Sequence, residues 1–197
     1  MRTSRLEAFS DGVFAIAITL LVLEIKQPAG DKPLARALLD QWPSYLAYVV
    51  SFLTIGIIWV NHHALFDRVA HADRTLLFTN LLLLMVVSFI PFPTGIVAEH
   101  LRSGADEDVA VALYAATFLV MGIGFYANSH HARRARLFRD GLTEAEERAI
   151  VIRNMIGQGG YVLAIALAFV SATAGLVLCG IVAVYYVLPG RAVPAPT

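Results

Sequence analysis

Three observations predict an all-α, polytopic membrane fold with six transmembrane helices. Hydrophobic residues make up 58% of the 197-residue chain and charged residues 15%, with a mean hydropathy of +0.68, a balance foreign to soluble domains. The apolar residues gather into six segments, each near the roughly 20 residues that a helix needs to cross a bilayer. The connections distribute cations unevenly: Arg2, Arg5, Arg68, Arg74, Arg133, Arg134, Arg136, Arg139, Arg148, Arg153 and Arg191 fall on one side, Lys26, Lys32, Arg36 and Arg102 on the other. By the positive-inside rule both termini are expected in the cytoplasm. The zero formal net charge conceals this asymmetry.

The spans are read as Leu6 to Ile25, Trp42 to Asn61, Leu76 to Ala98, Val109 to Asn128, Ala149 to Val170 and Ala172 to Leu188. The last two are almost continuous, yet one helix of about 40 residues would be roughly 60 Å long, twice a bilayer core. A tight turn near Ser171 is therefore expected. Between the fourth and fifth spans, Ser129 to Arg148 is basic and then acidic at Thr143-Glu144-Ala145-Glu146-Glu147, which suits a short helix running into the fifth span. Residues 1–190 are thus expected to form one six-helix membrane domain, and 191–197, rich in proline, a disordered tail. Runs such as Leu81 to Val87 lack the alternating polarity of a membrane barrel. The first span has no small-residue cleavage site, so it is expected to be kept as a mature helix. Cys179, the single cysteine, excludes an intramolecular disulfide and a cysteine metal cluster.

The first span is the most informative, because it carries Arg5, Ser10 and Asp11 into an apolar helix. A charge in a bilayer costs roughly 2.5–3.5 kcal/mol on insertion scales, so these groups are expected to face protein or water. Only Gly12 to Leu23 is free of charge, roughly 18 Å of helix against a core of about 30 Å. At 3.6 residues per turn Ile16, Thr19 and Leu23 form one stripe, continued by Gly12 and Ala8, and Asp11 lies roughly 110° away from it. Ordinary helix packing also produces such a stripe, so spacing alone does not decide what it faces. Arg5 and Asp11 are six residues apart and do not share a helix face. Their partners are expected on other helices. A network of Ser10 and Asp11 with Trp59, Asn61, His62 or His63 and Asn80 would satisfy the buried polar groups.

Arg5-x-x-x-Phe9-Ser10-Asp11 matches the RxxxFSD signature of the TMEM175-type potassium channels. Trp59-x-Asn61-His62-His63, the run of four leucines after Asn80, and Pro91-Phe92-Pro93-Thr94 are similar to the same family, and the chain resembles its bacterial, single-repeat, six-helix members. The resemblance implies a symmetric homotetramer in the bacterial plasma membrane, with first helices lining a central pore and potassium ions passing without a cofactor. It assigns Ile16 to the hydrophobic constriction, Leu23 to a further apolar layer and Thr19 to selectivity, while Arg5, Phe9, Ser10 and Asp11 hold the pore helix against its neighbours. The implied partners are copies of the same chain, potassium ions and the lipid bilayer, with no nucleic acid. The implied mechanism is passive conduction favouring potassium, closed by dewetting at an apolar ring in place of a carbonyl filter.

Competing readings are weaker. Gly122-Ile123-Gly124-Phe125-Tyr126 resembles a carbonyl filter but lies inside the fourth span, where small residues serve close helix packing. Glu24 reads as an interfacial charge. His62, His63, His71, His100, His130 and His131 include no two histidines at i,i+4 with a carboxylate between them, so no metal site is expected; His62 and His63 are expected in the polar network, with a secondary role in pH sensing. No catalytic motif for hydrolysis or nucleotide binding is present, and an enzyme is not expected. A secondary transporter or proton pathway using Asp11 remains the alternative, although the first helix does not recur as an inverted repeat requires.

Overall fold

The computed structural model describes residues 3–28, 33–139 and 143–187. The expected tail, 191–197, and the end of the sixth span lie outside the described residues. The chain is helical: α1 (Ser4–Leu20) tightening into a 3-10 turn (Leu21–Glu24), α2 (Leu34–Leu39), α3 (Trp42–Asp67), α4 (Arg74–Phe89), α5 (Pro91–Ser103), α6 (Glu107–Arg134), α7 (Glu144–Ala168) and α8 (Ala172–Val187). Among the described residues the β structure is one isolated antiparallel bridge, Val69 to Phe138. Among the described residues five helical segments are long and apolar enough to cross a membrane, namely Ser4–Glu24, Trp42–Asp67, Arg74–Leu101, Glu107–Arg134 and Glu144–Ala168; α8 is a shorter apolar helix.

The third span, expected over Leu76 to Ala98, runs within the helical segment Arg74–Leu101 and is interrupted at Ile90, where the backbone stays right-handed helical between α4 and α5. Pro91 has no N–H to give to the Val87 carbonyl, and the Ile90 N–H turns to that oxygen instead, at 3.2 Å. Several helices also outrun their apolar segments. Helix α6 continues past Asn128 to Arg134, and α3 past Asn61 to Asp67, because a helix satisfies its backbone internally whether its side chains are apolar or charged.

Local sequence sets the ends. The Thr143 hydroxyl accepts from the Glu146 N–H and the Glu146 carboxylate accepts from the Thr143 N–H, a capping box that starts α7. Between α7 and α8 the chain turns over residues 169–171, with the Ser171 hydroxyl accepting from the Ala174 N–H at 3.3 Å. These two helices approach closely: a methyl added at Gly175 would lie 3.0 Å from the Ala164 carbonyl oxygen and 3.1 Å from Ala168 Cα. Small residues are what permit such backbone proximity. Gly104, at φ +74°, closes α5 in the left-handed conformation that glycine adopts without penalty.

The main core surrounds the fully buried Tyr114 and Phe118 on α6. There the Ser51 hydroxyl on α3 sits 2.7 Å from both the Thr94 hydroxyl on α5 and the Tyr114 hydroxyl, a buried polar knot joining three helices. A second cluster, including Leu6, Phe66, Val69, Leu76, Ala132 and Leu137, closes the arginine-bearing end of the bundle. Nearby, Asp73 caps α4 by accepting from the Leu76 N–H at 2.8 Å, and its carboxylate takes a second bond from His131 on α6, also at 2.8 Å.

The Leu76 N–H, with His131 after it, holds the Asp73 carboxyl below its ordinary value of 3.8. A carboxyl depressed by folding stabilises above its unfolded pKa, and that contribution is lost as pH falls through the folded one. Asp73→Ala is expected to lower stability by about 1 kcal/mol at neutral pH. In thermal unfolding in detergent, the gap to the parent should narrow only below pH 3.8.

Candidate functional site

Helix α1 has two faces of opposite character. Phe14, Ala17 and Leu21 are 2%, 1% and 0% exposed, whereas Ile16 and Leu23 are 62% and 69% exposed. Ala8, Gly12 and Thr19 share the open face with them. An added methyl at Gly12 would meet nothing within 4 Å. The Thr19 hydroxyl donates back to its own helix, with the Ala15 and Ile16 carbonyl oxygens each at 2.9 Å. Its hydrogen is thereby committed and its lone pairs remain available as acceptors.

The inward face is held by a chain of hydrogen bonds across three helices. The Ser10 hydroxyl donates to the Leu6 carbonyl at 2.8 Å and accepts from the Asn80 amide at 3.0 Å. With its NH2 group turned to Ser10, Asn80 presents its oxygen to His62 Nε2 at 2.8 Å, so that ring nitrogen carries the hydrogen. Ser10 and Asn80 are 0% exposed and His62 is 2%. The imidazole stacks on Phe66 at 4.4 Å and meets Phe14 edge-on at 5.3 Å. At the rim of this anchor the Trp59 indole N–H donates to Asp11 Oδ1 at 2.8 Å, a second tie between α1 and α3.

Two residues expected in the network lie outside it. Asn61 donates to the Ile57 carbonyl of its own helix at 2.9 Å and lines a cavity between α3 and α6–α8. His63 stands 3.5 Å from Asp67, one turn on, and stacks with Trp59 at a centroid distance of 6.2 Å. Successive helical residues point about 100° apart, so when His62 meets Asn80 its neighbours turn away. Arg5 and Phe9 are exposed, and among the described residues Arg5 makes no ion pair.

The remaining candidates have separate surroundings. Glu24 rests against Gly95, where any side chain would collide with its carboxylate, and Lys26 pairs with Glu99 at 2.9 Å. Gly124 faces Leu83, 3.5 Å from an added methyl, in close contact between α6 and α4. Among the described residues no group of three His, Cys, Asp or Glu side chains is placed to hold a metal. Sequence reasoning also missed polar contacts between helices, among them a hydroxyl cluster and a hydrogen bond to an amide. The cluster is the Ser51 knot, and the bond runs from the Thr79 hydroxyl to Asn128 Oδ1 at 2.7 Å. Their signal was present as hydroxyls and amides inside apolar spans, which seek partners on neighbouring helices.

Residues 5–91 match the family model for the endosomal/lysosomal potassium channel TMEM175. A potassium channel of Streptomyces collinus is 50% identical over 99% of this chain and 95% of its own length. The crystal structure of a lysosomal potassium-selective channel TMEM175 homolog from Chamaesiphon minutus superposes with a TM-score of 0.86 at 44% identity, covering 96% of this chain and 98% of that one. The chain belongs to the TMEM175 family. The endosomal/lysosomal proton channel TMEM175 of Gallus gallus is 38% identical over 54% of this chain and 23% of its own length. These relatives are named channels, and this TMEM175 family member is an integral membrane protein. The family-model match contains every residue of the anchor, from Leu6 to Asn80.

Asn80→Ala removes the partner of two buried groups at once, each costing about 1–3 kcal/mol when left unsatisfied. A fall in thermal stability in detergent equivalent to at least about 2 kcal/mol is expected, whereas Asn61→Ala is expected to change it by less than about 1 kcal/mol.

Proposed function

We propose that this protein is a potassium-favouring cation channel, conducting passively along a path lined by α1. Four copies of a six-span subunit surround the path, and both termini lie on the cytoplasmic side of a bacterial plasma membrane. One observation carries the reading: the exposed residues of α1 and its 3-10 turn include Arg5, and Asp11 beside Trp59, as well as the stripe of Ile16, Thr19 and Leu23. Facing lipid, each charge would cost roughly 2.5–3.5 kcal/mol. Facing other copies of α1 around water, the charges are sheltered at the subunit boundary while the stripe looks into the path. The names of the bacterial relatives support the same choice.

The stripe then divides the work by chemistry. A ring of Ile16 side chains offers no replacement for an ion's hydration shell and closes the path by dewetting until it dilates. Thr19, with its hydrogen held by the helix, presents hydroxyl oxygens that accept a partly hydrated cation. Leu23 adds an apolar layer beyond it. Side-chain oxygens without a backbone carbonyl cage give modest discrimination. Arg5, Phe9, Ser10 and Asp11 orient the helix and do not coordinate ions.

A proton pathway through Asp11 is the second reading, favoured by the names of the vertebrate relatives. Purified protein in planar bilayers distinguishes them: current reversing near the potassium equilibrium potential is expected, and flux that follows the proton gradient or requires a counter-ion would overturn the proposal. Ile16→Asn is expected to raise conductance by wetting the constriction. An unchanged current in that variant would remove Ile16 as the gate.

A further inference from the structure

Between α3 on one side and α6, α7 and α8 on the other lies a cavity of about 300 Å³. It exists because α3 packs on α5 and α8, and α6 on α4, α5, α7 and α8, with only slight contact between α3 and α6. Along α3 its lining runs from Thr54 to Arg68, about 21 Å at 1.5 Å per residue. That length suits an extended hydrocarbon chain and greatly exceeds the needs of a single ion.

The two ends differ in chemistry. Ile58, Phe118, Met121 and Ala183 line the deep end. Arg68 closes the other end beside Glu146, and Arg153 lies toward it, two turns further along α7. Arg153 is held by one donor to the Tyr186 carbonyl at 2.6 Å, with its guanidinium over the Tyr186 ring at 5.5 Å. A guanidinium has five N–H donors, so most remain. Arg68 lies 3.5 Å from Glu146, whose other oxygen is engaged by Thr143. Two cations against one carboxylate leave this part of the lining positive. Midway, Gly122 leaves the wall open, with Gln158 Cγ the nearest atom at 3.8 Å from an added methyl.

We propose that this cavity binds one acyl chain of an anionic phospholipid, with the phosphate on Arg68 and Arg153 and the chain along Ile58, Phe118 and Met121. A basic pocket between membrane helices on the arginine-rich side suits such a headgroup, and the apolar depth suits its tail. A free phosphate would satisfy the arginines and leave the depth unfilled. The site stands whether or not α1 lines an ion path. Its wall includes Ile58 and Asn61 on α3, alternating with Trp59 and His62, which grip α1.

Delipidated protein titrated with phosphatidylglycerol or phosphatidylcholine and observed by native mass spectrometry tests the proposal. Phosphatidylglycerol is expected to be retained at least about fivefold better, and Arg68→Gln and Arg153→Gln are each expected to reduce its retention by about fivefold. Arg153→Lys should restore most of it, and exposed Arg134→Gln should change nothing. Gly122→Leu, which fills the tail section, is expected to weaken both lipids, with unchanged thermal stability confirming that the variant folds. Equal retention of the two lipids, with no loss in the arginine and glycine variants, would mean a water-filled crevice and overturn the proposal. Displacement of the lipid by inorganic phosphate would overturn it in favour of a plain anion site.

Discussion

Asn80 satisfies two helices with one carboxamide, and the orientation of α1 depends on it. Its NH2 group holds Ser10 on α1 and its oxygen holds His62 on α3, at 3.0 and 2.8 Å, with all three residues at most 2% exposed. An unpaired polar group in a water-free interior costs about 1–3 kcal/mol, so breaking the chain strands several such groups together. Turning α1 by one residue, about 100°, would carry Ser10 away from Asn80 and drive part of the stripe toward the core. The buried polar chain thus fixes the rotation that leaves Ile16, Thr19 and Leu23 outside. The polar residues determine which apolar face is left available.

This anchor belongs to the first part of the chain, and the later helices build on it differently. Ser51 joins α3 to α5 and α6 through Thr94 and Tyr114, while α7 and α8 close on one another through small residues, with the backbone at Gly175 against that at Ala164 and Ala168. Close packing there contrasts with the space left between α3 and α6. Helix α3 lies between the two regions. Trp59 and His62 face α1, and Ile58 and Asn61 face the cavity.

Much of this architecture is legible in residue order, because a bilayer demands long apolar helices and leaves few alternatives. The turn between α7 and α8 follows from the length of a bilayer, and the start of α7 from Thr143 and Glu146. The break at Ile90 was also written in the chain, as Pro91, but hydropathy reads through a proline that removes one hydrogen bond without changing polarity. Choosing among Asn61, His62 and His63 required the rotation of α3. The three residues point in directions about 100° apart, and only tertiary packing decides that His62 is the one to reach Asn80. The cavity had no local signature at all, since it arises from the slight contact between α3 and α6, which meet at Ser51 and Tyr114.

An ion path along α1 requires its outward face to border water. Cys179 is the single cysteine and is buried, so cysteines placed one at a time from Gly12 to Leu23 can be probed with a small, charged, membrane-impermeant thiol reagent. Modification is expected at Gly12, Ile16, Thr19 and Leu23, with a change in current at each, and protection at Phe14, Ala17 and Leu21. Protection of the stripe, or reactivity that follows the inward face, would rule out a water-lined path along α1.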